Sequence, residues 1–534
     1  MHEHKNLALI AMIFAVSMTF IDQTIVSIAV PVIEDDIDLS TTGGQWIVNG
    51  YMLALAITFA FGGKLADVRG HRRMVLIGIV IFTVASALCG AAPTGSAGEE
   101  WLIVWRIIQG VGAAIMFPAA LAIVVSAFPQ GERGRALAIF FGVAGGMTAL
   151  GPLAGGYLIE ITWRAIFWIN IPIAIAAVVL TLLAKPDNTE RPAPLDYRGL
   201  ALFAAGIGLV VLGLQQSSVW GWGDIKTIGC IAVGISLTIA FVSSELKVKN
   251  PLVNVRFFQN RAFAADNAIL FLVSIAFVPM FLFASLYSQI SLGDSASEAG
   301  LYIGTFFFGY VIAAQRGGAM LDKAGVKGPA ALGCAVGAVG FYLWAKSMPS
   351  MDYSSDWWRI VVAGAGTGLM FAPVSTDALN RVPGTSYGEA TGITQTMRNL
   401  GASLGLAVLG TLLVSEIRSN AESTLIGDYG CDRDVADGVA DSISSAIASG
   451  GPGGSGGGSG AIEGCTSHLT DEKIGDLVPS IFANASETIF LVMAGVMVVA
   501  YAVSHFVLPS GKAPEMDVVA DGEAPEGAPQ APAV

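Results

Sequence analysis

Two ionisable residues lie where charge is costly. Asp22 sits inside the first apolar stretch, within Phe20-Ile21-Asp22-Gln23-Thr24-Ile25-Val26. Arg106 sits inside the fourth, within Trp105-Arg106-Ile107-Ile108-Gln109-Gly110. A charged side chain deep in hydrocarbon costs about 3 kcal/mol on insertion scales, so such residues are functional candidates by default. Asp22 lies roughly 13 Å, and Arg106 roughly 9 Å, from the outer end of its stretch, so the two can meet. A carboxyl that gains and loses a proton beside a guanidinium is the sharper chemistry this pair offers. A purely structural ion pair, or an arginine reaching to the interface, fits the same residues. Weaker cavity candidates are the polar or adaptable residues Gln23, Asn49, Tyr51, Gln109, Met116 and Gln289. Arg398, about ten residues inside its stretch, joins them. No acid lies at its depth, since Asp266 and Asp377 fall nearer the cytoplasmic face, and packing against carbonyls suits it equally well.

A second constellation is repeated. Gly63-Lys64-Leu65-Ala66-Asp67-Val68-Arg69-Gly70-His71-Arg72 follows the second apolar stretch. Gly318-Ala319-Met320-Leu321-Asp322-Lys323-Ala324-Gly325-Val326-Lys327 follows the tenth. Each Asp has Gly four before it, Leu or Met two before, Gly three after and a cation five after. A charged turn that only sets topology explains the cations, Arg72 and Arg73 included. A latch between two halves, built on Gly63, Asp67, Gly70 and Asp322, also explains the repeated spacing, as internal repeats in membrane transporters do.

The elements that must position these groups are apolar and long. The cores 7–31, 44–66, 74–92, 101–126, 136–159, 165–184, 199–217, 227–244, 267–290, 299–315, 328–345, 360–376, 388–415 and 488–508 are each read as crossing a bilayer. A span needs roughly 20 residues, and lipid allows only helices or closed barrels. The alternation of a barrel is missing. The 534 residues are 54% hydrophobic and 13% charged, with mean hydropathy +0.66, against about 25% charged in soluble domains. An all-α membrane protein of fourteen spans is expected. The first core lacks a cleavage site and reads as an anchor. Nineteen of the 28 Lys and Arg fall on one side when the N-terminus is placed in the cytoplasm. This positive-inside bias orients both termini inward and implies no nucleic-acid patch despite the net charge of −13.

The repeat sets the organisation. Residues 1–184 form one six-helix bundle, 185–262 a linker with two extra helices, and 263–508 a second bundle. The second bundle carries an acidic external loop, 416–485, in which 434–448 could form a short helix. Residues 509–534 read as a disordered cytoplasmic tail. Cys89, Cys230 and Cys334 lie in apolar stretches and read as packing. Cys431 and Cys465 share the loop, where a disulfide or two free thiols would fit.

The Gly63–Arg73 loop resembles the signature between helices two and three of the major facilitator superfamily. Val68 and His71 stand where that family usually has Arg, which should weaken its polar network. The Asp22 and Arg106 fragments resemble the helix-one and helix-four motifs of its fourteen-span drug:proton antiporter branch, the second matching at Arg106, Gln109, Gly110 and Gly112. Gly151-Pro152-Leu153-Ala154-Gly155-Gly156 resembles the antiporter motif that separates exporters from importers. Trp163-Arg164 through Pro172 resembles the start of its helix six, although Trp163 and Trp168 read equally well as interfacial anchors. Residues 382–405 resemble its helix thirteen. The resemblance implies a major facilitator fold and proton coupling through Asp22 and Arg106.

Five histidines, with only His2 and His4 adjacent, offer no metal centre, and no phosphate-binding loop is present. No enzyme activity or cofactor is expected. The reading is a proton-coupled exporter of amphipathic compounds, a monomer in the plasma membrane with both termini cytoplasmic. A narrow exporter of one endogenous metabolite or lipid, and a transport-inactive sensor or scaffold, are the alternatives.

Overall fold

The computed structural model describes residues 5–37, 41–95, 97–186, 188, 190, 193–438 and 471–514. The side chains of some helical positions, Pro152 and Gly156 among them, lie outside that description. Among the described residues the chain is helical and has no strand. The helices are α1 (Lys5–Ile37), α2 (Thr41–Arg69), α3 (His71–Gly90), α4 (Ala97–Ala127), α5 (Gln130–Ile161), α6 (Ala165–Trp168), α7 (Asn170–Ala184), α8 (Tyr197–Trp220), α9 (Ile225–Glu245), α10 (Arg261–Ser291), α11 (Ala296–Ala324), α12 (Lys327–Ser347), α13 (Tyr353–Asn380), α14 (Tyr387–Tyr429) and α15 (Asp471–Phe506). Thirteen spans among the described residues are long and apolar enough to cross a membrane. α5 is not among them, although its 32 residues exceed the length required.

The helices form two groups. α1 to α7 pack on one another, as do α10 to α15. Contacts between the groups run from α2 and α4 to α14 and from α5 to α11 and α13. The pair α8 and α9 lies outside both, with α8 seated on α2 and α14. With no hydrophobic drive between helices in lipid, close approach comes from small residues. A Cβ on Gly366 of α13 would strike the backbone of Val336 and Gly337 in α12, and one on Gly309 of α11 the backbone of Val361 and Ala365 in α13.

The structure redraws three expected boundaries. α14 runs 43 residues, from Tyr387 to Tyr429, so part of 416–485 is helix; residues 433–438 are helical, and 439–470 lie outside the described residues. Cys431 is disulfide-bonded, and Cys465, its expected partner, lies outside the described residues. The first residues of the tail are ordered rather than disordered. Gly511 bridges to Gly325, and Ala513 O accepts from Gln130 Nε2 at 3.1 Å. Residues 515–534 lie outside the description.

Gly366→Val should overpack the α12–α13 contact, where no side chain can yield, and destabilise the protein by about 1–3 kcal/mol. A lower unfolding temperature of the purified protein in detergent checks this.

Candidate functional site

The sequence places Asp22 midway along α1 and Arg106 in α4, and packing closes the distance. Arg106 NH1 donates to Asp22 Oδ2 at 2.5 Å and to Gln109 Oε1 at 2.8 Å, and Gln109 Nε2 donates to Asp22 Oδ1 at 2.8 Å. Arg106 Nε donates to Ile47 O of α2 at 3.0 Å. The guanidinium lies 4.3 Å from the Tyr51 ring centroid and 6.0 Å from that of Phe167. Asp22, Arg106, Gln109 and Tyr51 are all buried. Gln109 sits one helical turn after Arg106, which lets it bridge the pair. The site is buried and charge-balanced, so moving a proton onto Asp22 would remove Arg106's counter-ion.

The glycine motif of α5 presses on the segment carrying Asp22. A Cβ on Gly151 would meet the Thr24 side chain and Ile21 O, and one on Gly155 would meet Ile25. On the opposite group, Gly142 faces Val311 and Gln315 of α11. α5 is thus wedged between α1 and α11. Pro152 and Gly156 lie outside the described side chains.

The repeated loops make matching contacts across the two groups. Asp67, at the end of α2, accepts from the N–H of Gly388 at 2.9 Å and of Glu389 at 2.7 Å, at the start of α14. Asp322, at the end of α11, accepts from the N–H of Gly134 at 2.9 Å and of Arg135 at 3.1 Å, in the first turn of α5. Each carboxylate meets free N–H groups at a helix N-terminus, where the dipole favours an anion. A Cβ on Gly63 would strike Gly388 O, and one on Gly318 would strike Gly134 O. Gly70 opens α3 at φ 89°, a conformation that favours glycine.

The expected weakening at His71 does not occur, because His71 Nε2 bonds Asp67 Oδ1 at 2.9 Å. Arg73 turns away from Asp67, its backbone N–H donating to Asn188 Oδ1 at 3.1 Å and its side chain reaching Glu190 at 3.6 Å. Arg72 lies beside Arg73, Leu76, Ile77 and Asn188. Glu389 was not singled out in the sequence. It takes Lys64 Nζ at 3.1 Å and the N–H of Asn254, fastening the linker to the start of α14 beside Asp67. Its position beside Gly388 at the start of a span was the available signal.

Of the remaining candidates, Gln23 is half-buried on α1 within hydrogen-bonding reach of Tyr51, and Asn49 is half-buried on α2. Met116 is packed against Gly78 of α3, within the helix core. Gln289 Nε2 donates to Ser285 Oγ at 3.1 Å within α10. Arg398 sits between the groups, 4.4 Å from the Phe371 ring centroid and 5.8 Å from that of Phe141, with NH1 donating to Gln395 Oε1 at 2.5 Å. Among the described residues no carboxylate pairs with it. It borders a run of rings from Phe117 through Phe140 and Phe141 to Phe371 and Phe277. At the far end Trp163 is not an interfacial anchor. It is buried, donating Nε1 to Asp36 Oδ2 at 2.8 Å. That bond and one from Arg164 hold the Asp36 carboxyl below the usual carboxylate range. Trp168 is exposed, as an anchor should be. Among the described residues no cluster could hold a metal ion.

The description "Major Facilitator Superfamily" matches residues 12–406. The chain belongs to that superfamily. It is 33% identical over 420 residues to the "Tetracenomycin C resistance and export protein" of Streptomyces glaucescens, covering 77% of this chain and 76% of that one. It is 31% identical over 434 residues to "Multidrug resistance protein Stp" of Mycobacterium tuberculosis, covering 80% and 79%. The fold matches the proton:xylose symporter XylE at TM-score 0.60 and 12% identity, covering 96% and 97% of the two chains. It also matches the human organic anion transporter MFSD10 at TM-score 0.55 and 11% identity, covering 94% and 99%. Identities that low show the fold alone. As a member of the superfamily the chain is a multi-pass membrane transporter with the major facilitator fold.

Removing one partner of a buried ion pair leaves the other charge uncompensated, at about 3–5 kcal/mol. Asp22→Ala should therefore lower the unfolding temperature sharply, and the double change Asp22→Ala/Arg106→Ala should recover part of the loss. Additive losses in the double variant would show the two residues act separately. Asp67→Ala deletes the acceptor for two N–H groups at the start of α14. Leaving those groups unsatisfied costs about 1–3 kcal/mol, so the unfolding temperature of the purified protein in detergent should fall.

Proposed function

We propose that this transporter exports amphipathic small molecules across the plasma membrane in exchange for protons, by alternating access between its two helical groups. The observation that carries the reading is the buried Asp22–Arg106–Gln109 cluster packed against the Gly151 and Gly155 face of α5. Protonation of Asp22 would release Arg106, and loss of the proton would restore the pair. Because α5 contacts both α1 and α11, a change at Asp22 has a direct path to the interface between the groups. A proton or substrate biases the two states only by its differential affinity for them. The relatives named for drug resistance and antibiotic export support the direction of transport.

In this reading α5 is a span, giving fourteen. The end carrying Asp67 and Asp322 faces the cytoplasm, as does each terminus, and the Cys431 end faces an oxidising exterior. Both latch contacts are made in this structure, which supports reading it as the state closed at that end. Apolar walls with few polar groups suit loose specificity. A narrow exporter is the second reading, favoured by relatives named for one compound each, tetracenomycin C and cephamycin.

Inverted vesicles with an acidic lumen, given a panel of dyes, biocides and antibiotics, test the proposal. Uptake of several compounds, abolished by a protonophore and by Asp22→Asn, is expected. Uptake of one compound alone selects the narrow reading. Gradient-independent behaviour identical in wild type and Asp22→Asn would sink proton coupling through this residue.

A further inference from the structure

A second carboxyl cluster lies in the other helical group. Asp266 of α10 and Asp377 of α13 are both fully buried, and their carboxyl groups are within hydrogen-bonding reach of each other. Asp377 is also clasped by Arg381, with Nε at 2.8 Å from Oδ2 and NH2 at 3.3 Å from Oδ1. Among the described residues no N–H or O–H donor reaches either oxygen of Asp266.

The charge count decides what this cluster holds. Two buried carboxyls share one guanidinium. An ionised carboxylate only accepts hydrogen bonds, and two in contact cannot both remain ionised. Arg381 engages both oxygens of Asp377 and neutralises it. The contact between the two carboxyls therefore needs a proton, and Asp266 is the group left to carry it and donate it to Asp377.

Several charges on the surrounding elements are engaged elsewhere, while Arg398 of α14 has no carboxylate partner among the described residues. On α11, Asp322 binds the start of α5. On α14, Glu389 is paired with Lys64. Arg133 of α5 donates to Asn380 Oδ1 at 2.9 Å, and Lys512, beyond α15, acts on Asp322. Asp377, Asn380, Asp322 and Lys512 edge a cavity of about 180 Å³ at the latch end. Asp266 lies five residues from the start of α10, roughly 7.5 Å in by helix rise. When α5 and α11 separate, water would reach the cavity, and a second bare carboxylate would no longer be forbidden.

We propose that Asp266 is a proton-binding site of the second helical group, occupied while the latch end is closed and emptied when that end opens. Its occupancy in the closed state stands on the cluster alone; its emptying rests on the alternating-access reading above.

Infrared spectra of the purified protein near neutral pH, compared by difference with variants, test occupancy. Wild type should show an acid carbonyl band that Asp266→Asn lacks. Asp377→Asn should lose the same band, because Arg381 would then pair with an ionised Asp266. Identical carbonyl regions in wild type and both variants would overturn the assignment. So would loss in Asp377→Asn alone, which would put the proton on Asp377. Emptying is read with spin labels on cysteines replacing the exposed Arg135 and Lys323. Their separation should grow as pH rises in wild type and stay fixed in Asp266→Asn. Equal behaviour in both would overturn the link to opening. Because neither readout uses a transported compound, failure of the vesicle assay would leave these outcomes readable.

Discussion

A charge placed where water cannot follow must find its partner inside the protein. That constraint organises this molecule. Asp22 and Arg106 come from helices far apart in the chain, yet each supplies what the other lacks, and Gln109 closes the triangle with one donor and one acceptor. Satisfied in this way the cluster is stable, but its balance depends on the protonation state of one oxygen pair. Buried polar groups are costly when half-satisfied, so the same geometry that stabilises the pair makes a single proton consequential.

The second constraint is that helix ends carry N–H groups without partners. The two repeated loops exploit it symmetrically. Asp67 ends α2 and binds the start of α14, while Asp322 ends α11 and binds the start of α5. Glycine at Gly63 and Gly318 lets backbone meet backbone at both places. Each contact joins the two helical groups. α5 joins the Asp322 contact to the buried pair, since its first turn receives Asp322 and its glycine face touches Thr24 and Ile25.

Much of this was legible in the residue order. Apolar length gave the spans, the repeat gave two equivalent loops, and the depth of Asp22 and Arg106 allowed them to meet. Other features were not legible. His71 looked like a loss beside the family pattern, yet its ring reaches the same carboxylate. Trp163 has the composition of an interfacial anchor, and a carboxylate 127 residues earlier buries it. Met116 looked adaptable enough for a cavity, but faces a glycine of α3. The tail's composition suggested disorder, yet the backbone of Gly325 and the side chain of Gln130 hold its first residues.

The sequence by itself determined the helical class, the membrane-spanning lengths and which rare polar residues had to be accounted for, because hydrocarbon punishes unpaired backbone and charge locally, at each position. Only the tertiary structure decided the partners. Whether Asp377 would meet Arg381 alone or Asp266 as well, and whether Glu389 would meet Lys64, depended on crossing geometry set by glycine contacts between helices. Those contacts act across hundreds of residues, and linear spacing does not encode them.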